Sequence, residues 1–239
     1  MFKRKSQIKK QDLLNILDDS SAKIEKHPDI SGLKVISGKN FFPISWIQKL
    51  NYCEYQLYLE HFKKFRVRPT QAMITGSKEH HRLESEFKED AEPASFEEML
   101  ELSETTQIYS REFPVMSIDY GIHGVIDEIQ MGPKGYHIID DKPGTTVYSS
   151  NAFQVLAYCL AFKYMVKDDK PLFAGLRERG TDNIYWSIPF DEQAESEIVA
   201  VVDRMHKLLN KEIDFNSTDN PNKCSKCRFN FLCDRRKLN

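Results

Sequence analysis

Three cysteines, Cys224-x2-Cys227-x5-Cys233, have the spacing of thiolates aimed at a single metal centre. A four-thiolate site needs one more sulfur, and the chain offers Cys53 or Cys159. Cys159 falls within the apolar run NAFQVLAYCLAFKYMV, where a small hydrophobe suits packing, and reads as a core cysteine. Cys53 falls in a polar, aromatic segment and is the better fourth ligand. Zinc and an iron–sulfur cluster both accept four thiolates, and the spacing taken alone favours zinc.

A second constellation is acidic. YHIIDDK (136–142) has strand character, and alternate residues of a strand share a face. Asp140 and Lys142 therefore point one way, and Asp141 points the other with His137 and Ile139. Asp127, late in the run GIHGVIDEIQ, reaches the same region if the two runs pair. Two carboxylates converging on one point repel unless a cation lies between them, and oxygen ligands suit a hard divalent ion. A lysine beside such an ion orients a water or stabilises charge on a phosphate. That is the chemistry of metal-assisted phosphodiester hydrolysis. His80, four residues after Gly76, adds an imidazole in a helical segment. Gln154 and Tyr158, one helical turn apart in an otherwise apolar run, bring two polar ends to one face.

These residues need elements to position them. SWIQKLNYCEYQLYLEHFK (45–63) has helical spacing and puts Cys53 on or between helices. Gly76 opens a further helical segment that runs through His80 and Glu84 into an acidic block. The runs 107–115, 121–130 and 136–142 are strand-like and separated by short turns, which predicts an antiparallel meander. Residues 151–166 predict a buried helix. LFAGLRERG and NIYWSIPF predict a strand pair around Gly180-Thr181-Asp182, and 191–212 predicts a periodic helix with an acidic first turn. The order predicts an α/β domain with a mixed sheet flanked by helices. Residues 1–40 read as a peripheral N-terminal arm, with a short amphipathic piece around Leu13–Leu17 and a break at HPDISG.

The 239 residues are 40% hydrophobic, which excludes a disordered chain. No run approaches the ~20 apolar residues of a membrane span, and no apolar stretch of a secretory signal follows the basic start. A cytoplasmic, reducing setting is expected. A net charge of −2 at first argues against a nucleic-acid partner, but the charges are segregated. Residues 222–239 hold six basic side chains against Asp234 alone, and Lys63, Lys64, Arg66 and Arg68 follow Cys53. Residues 85–104 hold eight acids against Lys88.

Taken in order, Gly76-x3-His80, Gly124-x2-Asp127, Asp140-x-Lys142 and Gln154-x3-Tyr158 resemble the RecB-like branch of the PD-(D/E)XK nucleases. With Cys53 upstream and the cysteine triplet downstream, roughly residues 45–236 are similar to the CRISPR-associated exonuclease family that carries an iron–sulfur cluster. The resemblance implies that His80, Asp127 and Asp140, with the backbone carbonyl of Asp141, ligate Mn²⁺ or Mg²⁺. It implies that Lys142 orients the attacking water or stabilises the transition state, and that Gln154 and Tyr158 position the active site and the DNA strand. It turns the assignment at Cys53, Cys224, Cys227 and Cys233 from zinc to a [4Fe–4S] cluster that joins the two ends of the chain. The implied fold is a PD-(D/E)XK (restriction-endonuclease-like) core at 71–215. An iron–sulfur lobe built from 41–70 and 216–239 flanks it, after the arm at 1–40.

The implied activity is 5′→3′ exonuclease action on single-stranded DNA, trimming spacer precursors alongside the CRISPR integrase complex. A RecB-like repair or viral nuclease outside any CRISPR system carries the same site residues. A catalytically silent iron–sulfur DNA-binding adaptor is an alternative of another class, and the intact His80, Asp127, Asp140 and Lys142 argue against it. The sequence departs from the family at two positions: Asp140 replaces the usual glutamate, and acidic Asp141 stands where an apolar residue is usual. His81 offers a second imidazole, but the four-residue spacing from Gly76 favours His80.

Overall fold

The computed structural model describes residues 4–8 and 24–237. Strands β1 (Arg4–Ile8), β2 (Ile24–Lys26), β3 (Lys34–Ile36) and β4 (Lys39–Pro43) come first. Helices α1 (Ser45–Tyr52) and α2 (Glu54–Leu57) follow, with Cys53 extended between them, and then a π-helical turn at Tyr58–Phe62. Helix α3 (Gln71–Glu89), strand β5 (Glu92–Ala94) and helix α4 (Phe96–Ser103) lead into a meander of β6 (Ile108–Ser117), β7 (Ile122–Gly132) and β8 (Gly135–Lys142). Helix α5 (Ser149–Val166), strands β9 (Leu172–Glu178) and β10 (Ile184–Pro189) and helix α6 (Glu192–Leu209) come next. The cysteine segment contributes a short α7 (Pro221–Ser225) and a 3₁₀ turn at Asn230–Leu232.

The strands form one mixed sheet. The β6–β7–β8 meander is antiparallel, β9 joins β8 in parallel, and β10 closes that side antiparallel to β9. Tight turns suffice for the antiparallel pairs, whereas the parallel β8–β9 step needs a crossover, which α5 supplies. Helix α5 is apolar nearly all round because it is covered nearly all round. It touches β6, β7, β8 and β9 and packs against α1 and α6. Leu156 to Phe162 are all buried along it, Cys159 among them at 0% exposure.

The described part of residues 1–40 pairs with the sheet. β1 pairs in parallel with β5 and β6, and β2, β3 and β4 form an antiparallel ribbon whose last strand pairs with β7 at Phe42↔Ile122 and Pro43↔His123. Strands of three to five residues carry too few alternations to stand out among lysines, yet Phe41 and Phe42 are fully buried. The piece at Leu13–Leu17 lies outside the described residues. Helix α3 begins at Gln71, five residues before Gly76, because the Thr70 hydroxyl caps it by accepting from the Met73 N–H. The acidic block divides among the end of α3, β5 and α4, and there Ser95 and Glu98 form a capping box.

Behind β8 lies a buried ion-pair quartet. Register places Arg111 opposite Glu128, and Asp141 opposite Arg177. Arg111 donates to Asp141 at 2.6 Å and to Glu128 at 3.2 Å, and Arg177 donates to Asp141 at 2.7 Å and to Glu128 at 2.9 Å. All four are under 8% exposed. Two positive and two negative groups, each doubly bonded, balance one another in a nearly buried place. Removing one member leaves buried charge unpaired, so Asp141→Ala is expected to destabilise the fold by about 3–5 kcal/mol. A urea melt checks it, and a loss below ~1 kcal/mol would show that the quartet does not anchor β8.

Candidate active site

β7 and β8 stay paired from Gly132↔Gly135 to Glu128↔Ile139, and beyond that pair the ladder ends. Asp127 and Asp140 stand where it ends, and the Asp141 N–H bridges the gap by donating to Asp127 Oδ2 at 2.8 Å. Alternation along β8 sends Asp140 and Lys142 toward α5, while the Asp141 side chain turns to the quartet. Its carboxylate therefore does not compete for a metal. The Asp141 carbonyl, expected near the ion, accepts from Arg179 Nη2 at 3.0 Å.

His80 comes from the middle of α3. Its Nε2 lies 3.0 Å from Asp127 Oδ1 and 3.1 Å from Glu112 Oε1. One ligand atom from each of these three residues lies within 4.8 Å of the others, a geometry one cation can satisfy. Imidazole and carboxylate oxygens suit Mg²⁺ or Mn²⁺ better than a soft ion. His81 points away to solvent and pairs with Glu84. Glu112 carries no motif and escapes a reading by spacing. Its signal is register: it lies opposite Asp127 in the β6–β7 ladder, between Arg111↔Glu128 and Phe113↔Ile126. It also holds φ at +50°, a left-handed conformation costing about 1–3 kcal/mol for a non-glycine residue in a strand.

The remaining motif residues form one chain of contacts. Lys142 Nζ lies 2.5 Å from Asp140 Oδ2 and donates to Gln154 Oε1 at 3.0 Å, and Gln154 Nε2 donates to Tyr158 Oη at 3.3 Å. Gln154 and Tyr158 are satisfied by the site itself rather than by the core around them. Two motif glycines are close-approach positions. A Cβ on Gly124 would meet the Tyr158 ring at 2.7 Å, and one on Gly76 would meet Arg179 Nη1 at 3.0 Å. Arg179, in the β9–β10 turn, also donates its backbone N–H to the Lys142 carbonyl at 2.8 Å. It thereby ties α3, which carries His80, to the end of β8.

The cysteines divide as their surroundings dictate. Cys159 is sealed in the core, and burial pushes its thiol well up. Cys53, Cys224, Cys227 and Cys233 line one cavity. Cross-links between the two ends of the chain surround it: Tyr52 Oη donates to the Lys223 carbonyl at 2.8 Å and Tyr55 Oη to Asp234 Oδ1 at 2.8 Å. Donors are also aimed at sulfur. Gln56 Nε2 lies 3.2 Å from Cys227 Sγ, and the N–H groups of Thr218, Phe229 and Lys237 lie 3.4 Å from Cys53, Cys227 and Cys224 Sγ.

A sequence profile of the PD-(D/E)XK nuclease superfamily matches residues 64–234. Among solved structures, the chain is similar to a protein from Eubacterium rectale described as "Putative exonuclease". The two are 15% identical, with 83% of this chain and 89% of that one covered at a TM-score of 0.48. It is also similar to a protein designated SSO0001, at 16% identity, 96% and 95% coverage and a TM-score of 0.46. No curated protein sequence matches it. No helix among the described residues is long and apolar enough to cross a membrane.

Ionisation in the site is set by its crowding. The Asp127 hydrogen bond, helped by the charges of Asp127 and Glu112, outweighs burial and raises His80 above the ordinary imidazole value. Burial would raise Asp127, but the His80 contact and the Asp141 N–H hold it low. Burial pushes Asp140 up to about 7 against the pull of Lys142, and the Asp127 charge adds to the rise. Burial and Asp127 also raise Glu112, against His80. A cation taking the set expected from the sequence, His80, Asp127 and Asp140, must displace protons from His80 and Asp140, so Mn²⁺ affinity is expected to rise with pH. Below about pH 7 it falls by about tenfold or more per unit. Titration followed by the Mn²⁺ electron paramagnetic resonance signal checks this, and an affinity constant from about pH 6 to 8 would exclude these ligands.

Proposed function

Because the chain belongs to the PD-(D/E)XK nuclease superfamily, whose members are metal-dependent hydrolases, we propose that it is a DNA exonuclease working with Mn²⁺ or Mg²⁺. His80, Asp127 and Asp140 hold the ion in this reading, with the Asp141 carbonyl and Glu112 beside them. One observation carries it: α3, β7, β8 and α5 bring His80, Asp127, Asp140, Lys142, Gln154 and Tyr158 to one place.

When bound, the divalent ion supplies charge stabilisation at the phosphate and acidifies water. The chain's own groups supply orientation. Lys142, ion-paired with Asp140 and donating to Gln154, keeps its ammonium beside the carboxylates with N–H protons left to donate to a water or phosphate oxygen. Burial, reinforced by Asp140 and Asp127, raises the Tyr158 phenol, so it stays protonated. Its oxygen accepts from Gln154 and its O–H is left to donate.

We assign a [4Fe–4S] cluster to Cys53, Cys224, Cys227 and Cys233. The four share a cavity and receive N–H donors, as cluster sulfurs do. Burial raises the Cys227 and Cys233 thiols, so holding them as thiolates requires positive charge among them. The 5′→3′ polarity on single strands, and spacer-precursor trimming beside a CRISPR integrase in the cytoplasm, rest on the motif resemblance of the sequence.

The test is digestion of end-labelled single strands with Mn²⁺ by anaerobically purified protein. Asp127→Ala, Asp140→Ala and Lys142→Ala are each expected to abolish cleavage while the protein keeps the brown colour of a cluster. Retained cleavage in any of them would overturn the site. Cys227→Ala is expected to give colourless, poorly soluble protein and Cys159→Ala to keep full colour, because a structural metal centre contributes folding free energy. The reverse pattern of absorbance near 400 nm would remove the ligand assignment.

A further inference from the structure

Beside the catalytic lysine opens a groove of about 660 Å³ that none of the groups assigned above, apart from Lys142, occupies. One wall is α1, through Gln48, Asn51 and Tyr52, and the floor is the loop after β8 and the first turn of α5. The other wall belongs to the cysteine segment, through Asn222, Lys223 and Lys226. None of its lining residues is acidic, in a chain with 36 Asp+Glu. Its charges are Lys142, Lys223 and Lys226, and the rest are mainly amides, hydroxyls and two tyrosines. Lys223 is tethered to Tyr52 by a 3.2 Å bond to its carbonyl. Lys226 is exposed and pairs with no acid among the described residues. Tyr148 is 61% exposed on the floor, a flat aromatic face with no ring stacked on it among the described residues.

A cationic, acid-free channel that begins at a phosphodiester-cleaving lysine matches a polyanion, and an uncovered tyrosine matches an unpaired base. Backbone charge neutralised by lysine and bases stacked on aromatic rings is how single strands are held without regard to sequence. Resting on the nuclease reading above, we infer that this groove carries one strand of nucleic acid away from the catalytic site, with its phosphates on Lys223 and Lys226 and a base on Tyr148. The cysteine segment then does more than join the ends of the chain, since it supplies one wall of the substrate track.

The experiment measures binding of a fluorescein-labelled oligothymidine by anisotropy, with Ca²⁺ in place of Mn²⁺, across a salt series. The three variants used are surface changes, and melting curves establish that they fold. Tyr148→Ala is expected to weaken binding about tenfold while Tyr148→Phe keeps it. Lys226→Gln is expected to weaken binding several-fold and to flatten the plot of log affinity against log salt by about 0.7. Wild-type affinity and salt slope in both Tyr148→Ala and Lys226→Gln would overturn the groove assignment. An equal loss in Tyr148→Ala on a blunt duplex would overturn the single strand as its occupant. Hydrolysis of bis(p-nitrophenyl) phosphate by the wild-type protein with Mn²⁺ tests the nuclease reading separately. No hydrolysis there would overturn that reading itself, whatever the groove binds.

Discussion

Period-two alternation along β8 sorts three consecutive charges onto two faces of the sheet, and the surroundings of each face follow from that sorting. Asp140 and Lys142 face α5, where Gln154 and Tyr158 continue their contacts. Asp141 faces the other way and is locked between Arg111 and Arg177. A one-residue slip of this strand would exchange the faces, burying Lys142 among guanidinium groups and turning Asp140 away from Asp127. The quartet makes such a slip prohibitive, because every buried charge in it would lose its partner. An acidic residue at position 141 is thus no defect of the site. It is the fixture from which the neighbouring position takes its aim.

The front face carries the opposite economy. Three carboxylates and one imidazole crowd a half-buried place, and burial with the neighbouring Asp127 charge raises Asp140 to about 7 in consequence. Such a site is costly to build without a cation and becomes favourable with one. The strained φ of Glu112 belongs to the same bargain, since backbone strain of this size persists where surrounding structure fixes it for a task.

Much of this site is readable from residue order, and the part that is not has an identifiable physical cause. Asp140 and Lys142 declare their common face by strand period alone, and the β6–β7–β8 meander declares itself by short turns. Gln154 and Tyr158 stand out as polar ends on an apolar helix. Gly76 and Gly124 are visible as motif members, but their reason is tertiary: one makes room for the Arg179 guanidinium, the other for the Tyr158 ring. Arg179 itself has no local signal, because what it touches arrives from α3 and β8. Glu112 is hidden for a different reason, since pairing register is set by the turn between the strands and not by either strand's composition. The ribbon of β2, β3 and β4 is hidden by brevity.

The cavity shared by Cys53 and Cys224 has a consequence for when, rather than how, the molecule becomes competent. The Gln56–Cys227 and Tyr52–Lys223 contacts each span 171 residues, among the longest closures in the fold. On a ribosome adding about 5–20 residues per second, α1 waits roughly ten seconds or more for its partner wall to be made. The sheet and the carboxylates are complete in the nascent chain well before that. Synthesis order alone therefore keeps the cysteine-lined cavity half-built, with Cys53 as its one sulfur, until nearly all of the described chain has been translated.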